Sequence, residues 1–247
     1  ICMSALRSEQ FKSRIDALRN DVHFLSRLPP LKGMTRAAFH GGIDPQLQIS
    51  SDVWAQQLNN VYLAYLETNP ALLQIRLISV KDDGKELVRV NKRSGVAKIV
   101  PMDQLQNKAD TLYYREVLKL KPQEIYISPL NLNREYGKVE IPHTPVLRLA
   151  TPVYTPDGQL YAMVVLNYDS KSLLQSIEAR LPSYAQAYIT NPDGDFILHP
   201  NPSHEYGFDL GKRYRWQDMA TANVTEADIP HGITLWNTMD DRVLHAA

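Results

Sequence analysis

The chain has 247 residues, which is long enough for one large domain or two small ones with apolar cores of their own. Lys plus Arg and Asp plus Glu both number 27, so the net charge is zero and no basic surplus favours binding to nucleic acid. The one cysteine, Cys2, excludes an internal disulfide and a cysteine metal cage.

Helical patterns come first along the chain. Residues 4–28 carry apolar side chains at spacings of three to five, which predicts one long helix that Pro29 and Pro30 end. A loop rich in Gly and Pro is predicted over residues 33–51. A second apolar stripe then predicts a helix over residues 52–67.

Strand patterns begin near Leu72. A hairpin is predicted around residues 81–85, where Asp and Gly provide the backbone conformations of a tight turn. A helical stretch follows near residues 105–118, and a long insertion occupies residues 129–145. The five predicted strands of this antiparallel sheet cover residues 73–80, 86–90, 124–128, 146–154 and 160–169.

A shorter repeat of the same pattern ends the chain. Residues 170–181 predict a helix with Ser170 as N-cap. A strand, an Asn-Pro-Asp-Gly turn and another strand follow over residues 184–199, and residues 232–237 predict one more strand. The second unit is therefore expected to be smaller than the first or cut short.

Three segments carry a resemblance to a known family: KELVRVN at residues 85–91, YISPLNLNREYG at 126–137 and PVLRLATPVY at 145–154. With the order of elements, they resemble the double Cache (tandem PAS-like, PDC) sensor regions of bacterial transmembrane receptors such as histidine kinases and diguanylate cyclases. The resemblance covers essentially the whole chain and is strongest over residues 73–174.

The resemblance implies an α+β fold, in which a long N-terminal helix precedes two PAS-like (Cache) domains with antiparallel five-stranded sheets. We expect a helical region at 1–70, a membrane-distal ligand-binding domain at 71–182 and a smaller membrane-proximal domain at 183–247. The full-length protein would be anchored in the inner membrane, with this region in the periplasm or outside the cell. Because the sequence contains no apolar run of about 18 residues, the anchor is expected to lie outside it.

The function implied is sensing. A small molecule would bind in the distal domain and shift the receptor between conformations, and this change would be transmitted across the membrane. Any kinase or cyclase activity would lie in a cytoplasmic part, so we expect no enzyme and no cofactor here. Dimerisation through the first helix is usual for such receptors, although the apolar stripe of that helix can equally pack on its own domain. The alternative is an interaction module that binds a periplasmic protein and no small molecule.

Enzyme and metal motifs are missing from the sequence. It contains no nucleophile elbow and no phosphate-binding loop, and its seven histidines lack the spacing of a metal site.

In the amino-acid-binding branch of the family, an Arg two residues before an aromatic pair binds the ligand carboxylate, and an Asp on the last strand binds its ammonium. Here Tyr113 and Tyr114 match the aromatic pair, but Thr111 occupies the Arg position and Asn167 the Asp position. A zwitterion would lose both charge-assisted hydrogen bonds. We therefore expect that the ligand is not an amino acid bound through this motif.

The remaining candidates predict a pocket with aromatic walls and neutral polar groups. Alternation along the strands places Tyr126 with Ser128, and Arg148 with Ala150 and Pro152. Arg148 could bind a carboxylate or be a surface residue paired with an acid such as Glu140, and the tyrosines could be core residues. The predicted ligand-binding residues are Tyr113, Tyr114, Tyr126, Ser128, Arg148 and Asn167.

Two further arginines, Arg76 and Arg89, lie between apolar neighbours in the first hairpin. They could point inward, but solvated positions on the outer face are the expected account. The polar residues of the insertion, among them Asn131, Asn133 and Arg134, would form either a lid or a plain loop.

Overall fold

A computed structural model describes residues 2–179, 186–220, 234–236 and 243–245. The chain divides into two compact units. The first, called the sheet unit below, consists of residues 12–128 and 147–169. The second, called the C-terminal unit, consists of residues 1–11, 129–146 and 170–247. The boundaries expected at residues 70 and 182 stay a prediction.

Seven α-helices lie in the described residues: α1 (Cys2–Leu25), α2 (Pro29–Ala38), α3 (Ser51–Thr68), α4 (Leu112–Val117), α5 (Lys171–Glu178), α6 (Gly207–Leu210) and α7 (Trp216–Ala220). Helix α3 begins where Ser50 accepts a hydrogen bond from the Val53 amide. Of the expected helix near residues 105–118, only α4 is regular.

The described strands are β1 (Leu72–Ser79), β2 (Glu86–Arg93), β3 (Val96–Ile99), β4 (Tyr126–Ile127), β5 (Asn131–Leu132), β6 (Arg134–Glu135), β7 (Lys138–Val139), β8 (Pro145–Tyr154), β9 (Leu160–Asp169), β10 (Ile189–Thr190), β11 (Phe196–Leu198), β12 (Thr234–Trp236) and β13 (Val243–His245). The main sheet has the order β3-β2-β1-β9-β8-β4, and β5 pairs with the first two residues of β8. The α+β class with antiparallel pairing is thus confirmed.

Helix α2 and strand β3 differ from the sequence-based prediction. Pro29 and Pro30 end one helix but also begin the next, because proline has the backbone angle of a first helical turn and needs no amide donor there. The predicted loop is therefore helical as far as Ala38. Strand β3 follows a two-residue turn of Ser94 and Gly95, both left-handed, which folds it back onto β2.

Helices cover one face of the sheet. Helix α3 packs against β1, β2 and β3, and Lys92 on β2 donates a 2.7 Å hydrogen bond to the Asn69 carbonyl just past that helix. The buried apolar residues of this layer are Leu18, Val22 and Leu25 of α1, Leu58, Tyr62 and Leu66 of α3, and Ile75, Leu77, Val88 and Val90 of the sheet.

In the C-terminal unit, a hairpin of β10 and β11 bears the buried residues Phe196, Ile197 and Leu198. Strands β6 and β7 form a second hairpin inside the long insertion. Asp209 of α6 contacts that insertion, since it accepts hydrogen bonds from the Leu132 amide and from Arg134. Residues 180–185, 232, 233 and 237, which belong to the predicted helix and strands there, lie outside the described residues.

None of the described helices combines the length and the apolar character needed to cross a membrane.

Candidate functional site

The second face of the sheet is buried yet polar. Alternation places Gln74 and Arg76 of β1 on this face, and the register pairs them with Asn91 and Arg89 of β2. Asn167 of β9 pairs with Gln74 from the other side. Polar side chains at buried positions cost free energy unless they are hydrogen-bonded, so such a face needs a compensating network or a ligand.

Three amide side chains begin that network. The Asn167 amide donates a 3.2 Å hydrogen bond to the Gln74 carbonyl oxygen, and the Gln74 amide donates a 2.5 Å bond to Asn91. Asn91 also accepts a 3.0 Å bond from Nε of Arg89. The three middle strands are therefore linked across the sheet by side chains as well as by backbone.

An ion triad continues the network. Glu86 lies between the two arginines, with its carboxylate 3.5 Å from Nε of Arg76 and 3.4 Å from Nη1 of Arg89. It also accepts a 2.9 Å hydrogen bond from the Gln106 amide. The glutamate side chain is 0% exposed and both arginines are 2% exposed.

A shift in strand register makes this triad possible. Leu77 pairs with Val88 but Ile78 pairs with Glu86, so Leu87 is an extra residue that bulges from β2. Glu86 and Arg89 are three positions apart and would point to opposite faces of a regular strand. The bulge brings them to the same face.

Helix α4 covers the apolar part of this face. Tyr113, Tyr114 and Val117 of the helix form a buried cluster with apolar side chains of the sheet, namely Ile78, Ala150, Met163 and Val165. Arg76 donates a 3.0 Å hydrogen bond from Nη1 to the Tyr113 hydroxyl. The polar network thus extends from the sheet to the helix above it.

Gly84 positions the segment that leads into α4. Its φ of +84° suits the turn after β1, and a Cβ there would lie 2.5 Å from the Ala109 amide nitrogen. The close approach allows the Gly84 carbonyl to accept a 2.8 Å hydrogen bond from the Lys108 amide. Three residues later Thr111 precedes the first residue of α4 and donates its hydroxyl proton to the Lys108 carbonyl.

Tyr126 lies at the edge of the cluster on β4, opposite Ala150. Burial raises the pKa of the Tyr126 hydroxyl, as does the Glu116 carboxylate, while the Arg148 guanidinium lowers it. The phenol therefore lies near both an acid and an arginine. Burial, with a smaller effect of Asp83, also raises the pKa of Tyr114.

Ser128 and Arg148 are joined through the backbone. The Ser128 hydroxyl accepts a 2.9 Å hydrogen bond from the Arg148 amide, and the Ser128 amide donates to the Arg148 carbonyl. Ser128 therefore helps to pair the two strands. Arg148 is buried, so the structure does not support a position on the surface.

The structure brings Tyr113, Tyr114, Tyr126 and Asn167 to one face of the sheet. The prediction that Arg76 and Arg89 are solvated was wrong, because both are buried. Burial of their charges is possible because both contact the Glu86 carboxylate. Sequence reasoning missed the triad with Gln74 and Asn91. The available signal was the alternation of polar and apolar residues in β1 and β2, which indicates that each strand has one polar and one apolar face.

Among the residues that the structure describes, His, Cys, Asp and Glu side chains form no group of three or more that could hold a metal ion.

Comparison with known proteins decides the family. The model of the bacterial histidine kinase sensor domain matches residues 47–241, which is more than half of the chain. The chain belongs to this sensor-domain family. The predicted resemblance to sensor regions of bacterial receptors is thereby confirmed.

Solved structures share the fold of the sensor domain. A domain from a Vibrio parahaemolyticus protein assigned to the sensory box/GGDEF family has a TM-score of 0.73 at 18% identity, over 95% of this chain and 83% of its own. The extracellular domain of vpHK1S-Z8, assigned as a histidine kinase, has a TM-score of 0.72 at 19% identity, over 95% and 79%.

A more distant neighbour contains a ligand. The ligand-binding domain of the Campylobacter jejuni chemoreceptor Tlp3, in complex with 4-methylisoleucine, has a TM-score of 0.53 at 14% identity, over 80% of this sensor domain and 69% of its own chain. At such identities these likenesses concern the fold alone. No curated protein sequence matches the chain.

Proposed function

We propose that this sensor domain is the extracytoplasmic region of a bacterial signal-transduction receptor and that it binds a small molecule between the sheet and helix α4. The observation that carries the proposal is the buried polar face of β1, β2 and β9, which lies under two tyrosines. A sheet that needed only to be stable would pack apolar side chains there, since replacing buried ion pairs by apolar residues is often neutral or stabilising. Ligand sites typically combine apolar and aromatic walls with a few placed polar groups, and this face has both kinds of side chain.

The contacts of α4 provide a route for the signal. Tyr113 hydrogen-bonds Arg76 on the sheet, so a molecule bound between the two elements would alter both. A ligand that prefers one position of α4 would shift the population of that position, by no more than its differential affinity. The full-length receptor would pass this change across the membrane.

Several assignments follow from the family and are proposals here. Residues 71–182 would be the membrane-distal domain with the ligand, and residues 183–247 the membrane-proximal domain. The receptor would be anchored in the inner membrane with this region in the periplasm, and its first helix would pair with that of a second copy. Analytical ultracentrifugation of the isolated chain tests the dimer, since a monomer at all concentrations would contradict it.

The ligand-binding residues proposed are Tyr113, Tyr114, Tyr126, Arg148 and Asn167, with Ser128 beside them. Thr111 and Asn167 stand at the positions where the family resemblance implies charged residues that bind an amino acid. An amino acid is therefore not the expected ligand by that route.

A thermal-shift screen against organic acids, amines, purines and sugars tests the proposal. A ligand that binds only the folded state raises the midpoint of unfolding by mass action, by an amount equivalent to about 2.7 kcal/mol at a hundredfold excess over Kd. No shift with any class would favour the interaction module that binds a periplasmic protein.

Substitution of the site residues sharpens the test. Tyr126→Ala and Asn167→Ala should weaken the binding of any compound found in the screen, by about tenfold for one lost hydrogen bond or ring contact. Tyr65→Ala is the control, because Tyr65 is also a half-buried tyrosine but lies on α3. If Tyr126→Ala and Asn167→Ala lower the melting temperature as much as Tyr65→Ala does but leave the affinity unchanged, Tyr126 and Asn167 are core residues.

A further inference from the structure

Two histidines lie side by side in an aromatic cluster of the C-terminal unit. His199 directly follows β11 and is 7% exposed. Its ring centroid is 4.7 Å from that of His204 and 4.6 Å from that of Phe196, and Tyr188 contacts it edge-on at 5.2 Å. The His204 ring in turn stacks on Tyr214 at 4.2 Å. A charge on His199 would therefore be poorly hydrated and would lie next to a second imidazole.

Hydrogen bonding selects the neutral form of His199. The backbone amide of Asn201 donates a 2.8 Å hydrogen bond to Nδ1, so this nitrogen uses its lone pair and the ring hydrogen is on Nε2. Nε2 has no hydrogen-bond acceptor within the residues that the structure describes. The carbonyl oxygen of the same Asn201 is 3.2 Å from Nδ1, and it can accept a hydrogen from that nitrogen only when Nδ1 is protonated.

Asn201 also organises the segment of residues 201–205, called the histidine turn below. Its side-chain oxygen accepts hydrogen bonds from the amide and the hydroxyl of Ser203, and its carbonyl accepts a 3.0 Å bond from the His204 amide. At the end of the turn, the Glu205 carboxylate accepts a 3.0 Å bond from the His199 amide. The protonation state of His199 is therefore coupled to the hydrogen bonds of the turn.

We propose that His199 makes the C-terminal unit respond to acid, because protonation of its ring exchanges the bond from the Asn201 amide for one to the Asn201 carbonyl and loosens the histidine turn. A hydrogen on Nδ1 cannot face the hydrogen of the amide, so the peptide groups of the turn must shift. Histidine is the side chain that ordinarily titrates between about pH 5 and pH 8. The inference goes beyond the function proposed above, since it needs no small-molecule ligand.

Titratable and charged groups from each neighbouring segment bear on this response. Those in the described residues are Tyr188 beside β10, Asp195 beside β11, His204 and Glu205 in the turn, and Lys212, Arg213 and Tyr214 after α6. Asp195 and Arg213 bind each other, and Lys212 lies over the Tyr214 ring. A proton on His199 is thus opposed by His204, and Glu205 is the acid that would attract it once the turn opens.

The stability of the turn should fall with pH. Burial lowers the pKa of His199 from its ordinary value of 6.5 and His204 lowers it further, whereas the contact with the Asn201 carbonyl raises it. Because the folded-state pKa is the lower one, the stability that comes from neutral His199 is present above pH 6.5. It is lost as the pH falls towards the folded-state value.

Nuclear magnetic resonance of the whole 247-residue chain tests the ring and the turn together. At about pH 7.5 the nitrogen chemical shifts of the imidazole should place the His199 hydrogen on Nε2, and the ring should titrate below its ordinary pKa. Between about pH 7.5 and pH 4.5 the protection factors of the His199, Asn201 and His204 amides should fall by about tenfold or more. Their midpoint should coincide with that of the His199 ring, and the amides of β9 should keep their protection.

Two variants test the residue. His199→Asn retains an acceptor near the position of Nδ1 and has no group that titrates, so the protection of the Asn201 and His204 amides should no longer depend on pH. His143→Asn is the control, because His143 is an exposed histidine in the same unit, and it should leave the acid response unchanged. If His199→Asn does not fold, the coincidence of the two midpoints in the unmodified chain decides.

Several results would overturn the inference. They are a hydrogen on Nδ1 at neutral pH, protection that stays constant down to about pH 4.5, and protection that falls at a pH where the His199 ring does not titrate. An equal fall in His199→Asn, or an equal fall in β9, would also overturn it, since the response would then belong to other groups. The small-molecule function is tested by the ligand screen and is unaffected by each of these results.

Discussion

Arg76 donates a 3.0 Å hydrogen bond to the hydroxyl of Tyr113, and the two residues belong to different layers of the sheet unit. Arg76 lies on strand β1 and Tyr113 on helix α4, and both side chains are buried. This bond connects the sheet to the short helix that covers it. The position of α4 is therefore coupled to the charged groups beneath it.

The charged groups of the triad should be important for stability. We expect Glu86→Gln to lower the free energy of unfolding by about 3–5 kcal/mol, because it removes a buried carboxylate that two buried guanidiniums contact. Urea denaturation measures this change. The control is Glu116→Gln, whose partner Lys119 is solvent-exposed and whose loss should cost at most about 1 kcal/mol. Similar losses for both variants would show that the buried triad contributes no more than a surface pair.

The Asp44 carboxylate should make the stability of the protein depend on pH in the acid range. Hydrogen bonds from Arg36 hold the pKa of Asp44 at about 2, below its ordinary value of 3.8. Because the folded-state pKa is the lower one, the contribution is present above pH 3.8 and is lost as the pH falls towards 2. Thermal unfolding between about pH 5 and pH 2 should show a falling midpoint that is flatter in Asp44→Asn.

Arg36→Gln provides the reciprocal test of this pair. Its guanidinium donates through Nε and Nη2 to the two oxygens of Asp44. Removing this guanidinium should make the unfolding midpoint fall less steeply between about pH 5 and pH 2. A profile as steep as that of the unmodified chain would assign the acid sensitivity to other carboxylates.

Gly33 of helix α2 should resist a substitution that usually stabilises helices. Gly→Ala in a helix interior normally adds about 0.5–1 kcal/mol. Here a Cβ at Gly33 would overlap the indole ring of Trp54 on α3, so we expect Gly33→Ala to destabilise the protein by about 1–3 kcal/mol.

A double-mutant cycle checks the cause of that loss. In a Trp54→Leu background the side chain that meets the new methyl group is smaller, so Gly33→Ala should cost less there. Equal costs in both backgrounds would exclude the clash between α2 and α3 as the reason.

In the C-terminal unit, Asp195 should stabilise the turn between β10 and β11. Its buried carboxylate accepts a 2.7 Å hydrogen bond from Nε of Arg213 and another from Asn191, and these contacts lower its pKa. Asp195→Ala should speed amide hydrogen exchange in β11 by about tenfold or more, as expected for the loss of a charged hydrogen bond. Asp193→Ala, at an exposed position two residues earlier, should have little effect.

Local signals predicted much of the sheet. Strand β9 has the predicted bounds, and β8 begins one residue before the prediction, because the Asp157-Gly158 turn between them is determined by a few adjacent residues. Helix α3 was predicted over residues 52–67 from its apolar stripe, and it spans Ser51–Thr68. Strand β3 was missed because it is four residues long and a Ser-Gly pair is a weaker turn signal than Asn-Gly.

The candidate site was harder to predict, for a physical reason. Tyr113 and Tyr114 were named as candidates because they are adjacent in sequence and match a pattern, and their contact with a ligand stays a prediction. The triad depends on which face each residue occupies, and that depends on the register shift at Leu87. Since an arginine is ordinarily exposed, the sequence favoured the wrong position for Arg76 and Arg89.

Leu87 thus has an effect that its own side chain does not reveal. If β2 kept Leu87 but paired regularly, with Leu87 opposite Ile78, Glu86 would lie opposite Ser79 and point towards the helices, and the two arginines would face each other without Glu86 between them. The distribution of charge on the buried polar face of the sheet would change although no ionisable residue had been replaced. In homologous receptors, a deletion of this one residue would place the equivalents of Glu86 and Arg89 two positions apart on the same face of a regular strand, so both arginines should be retained there.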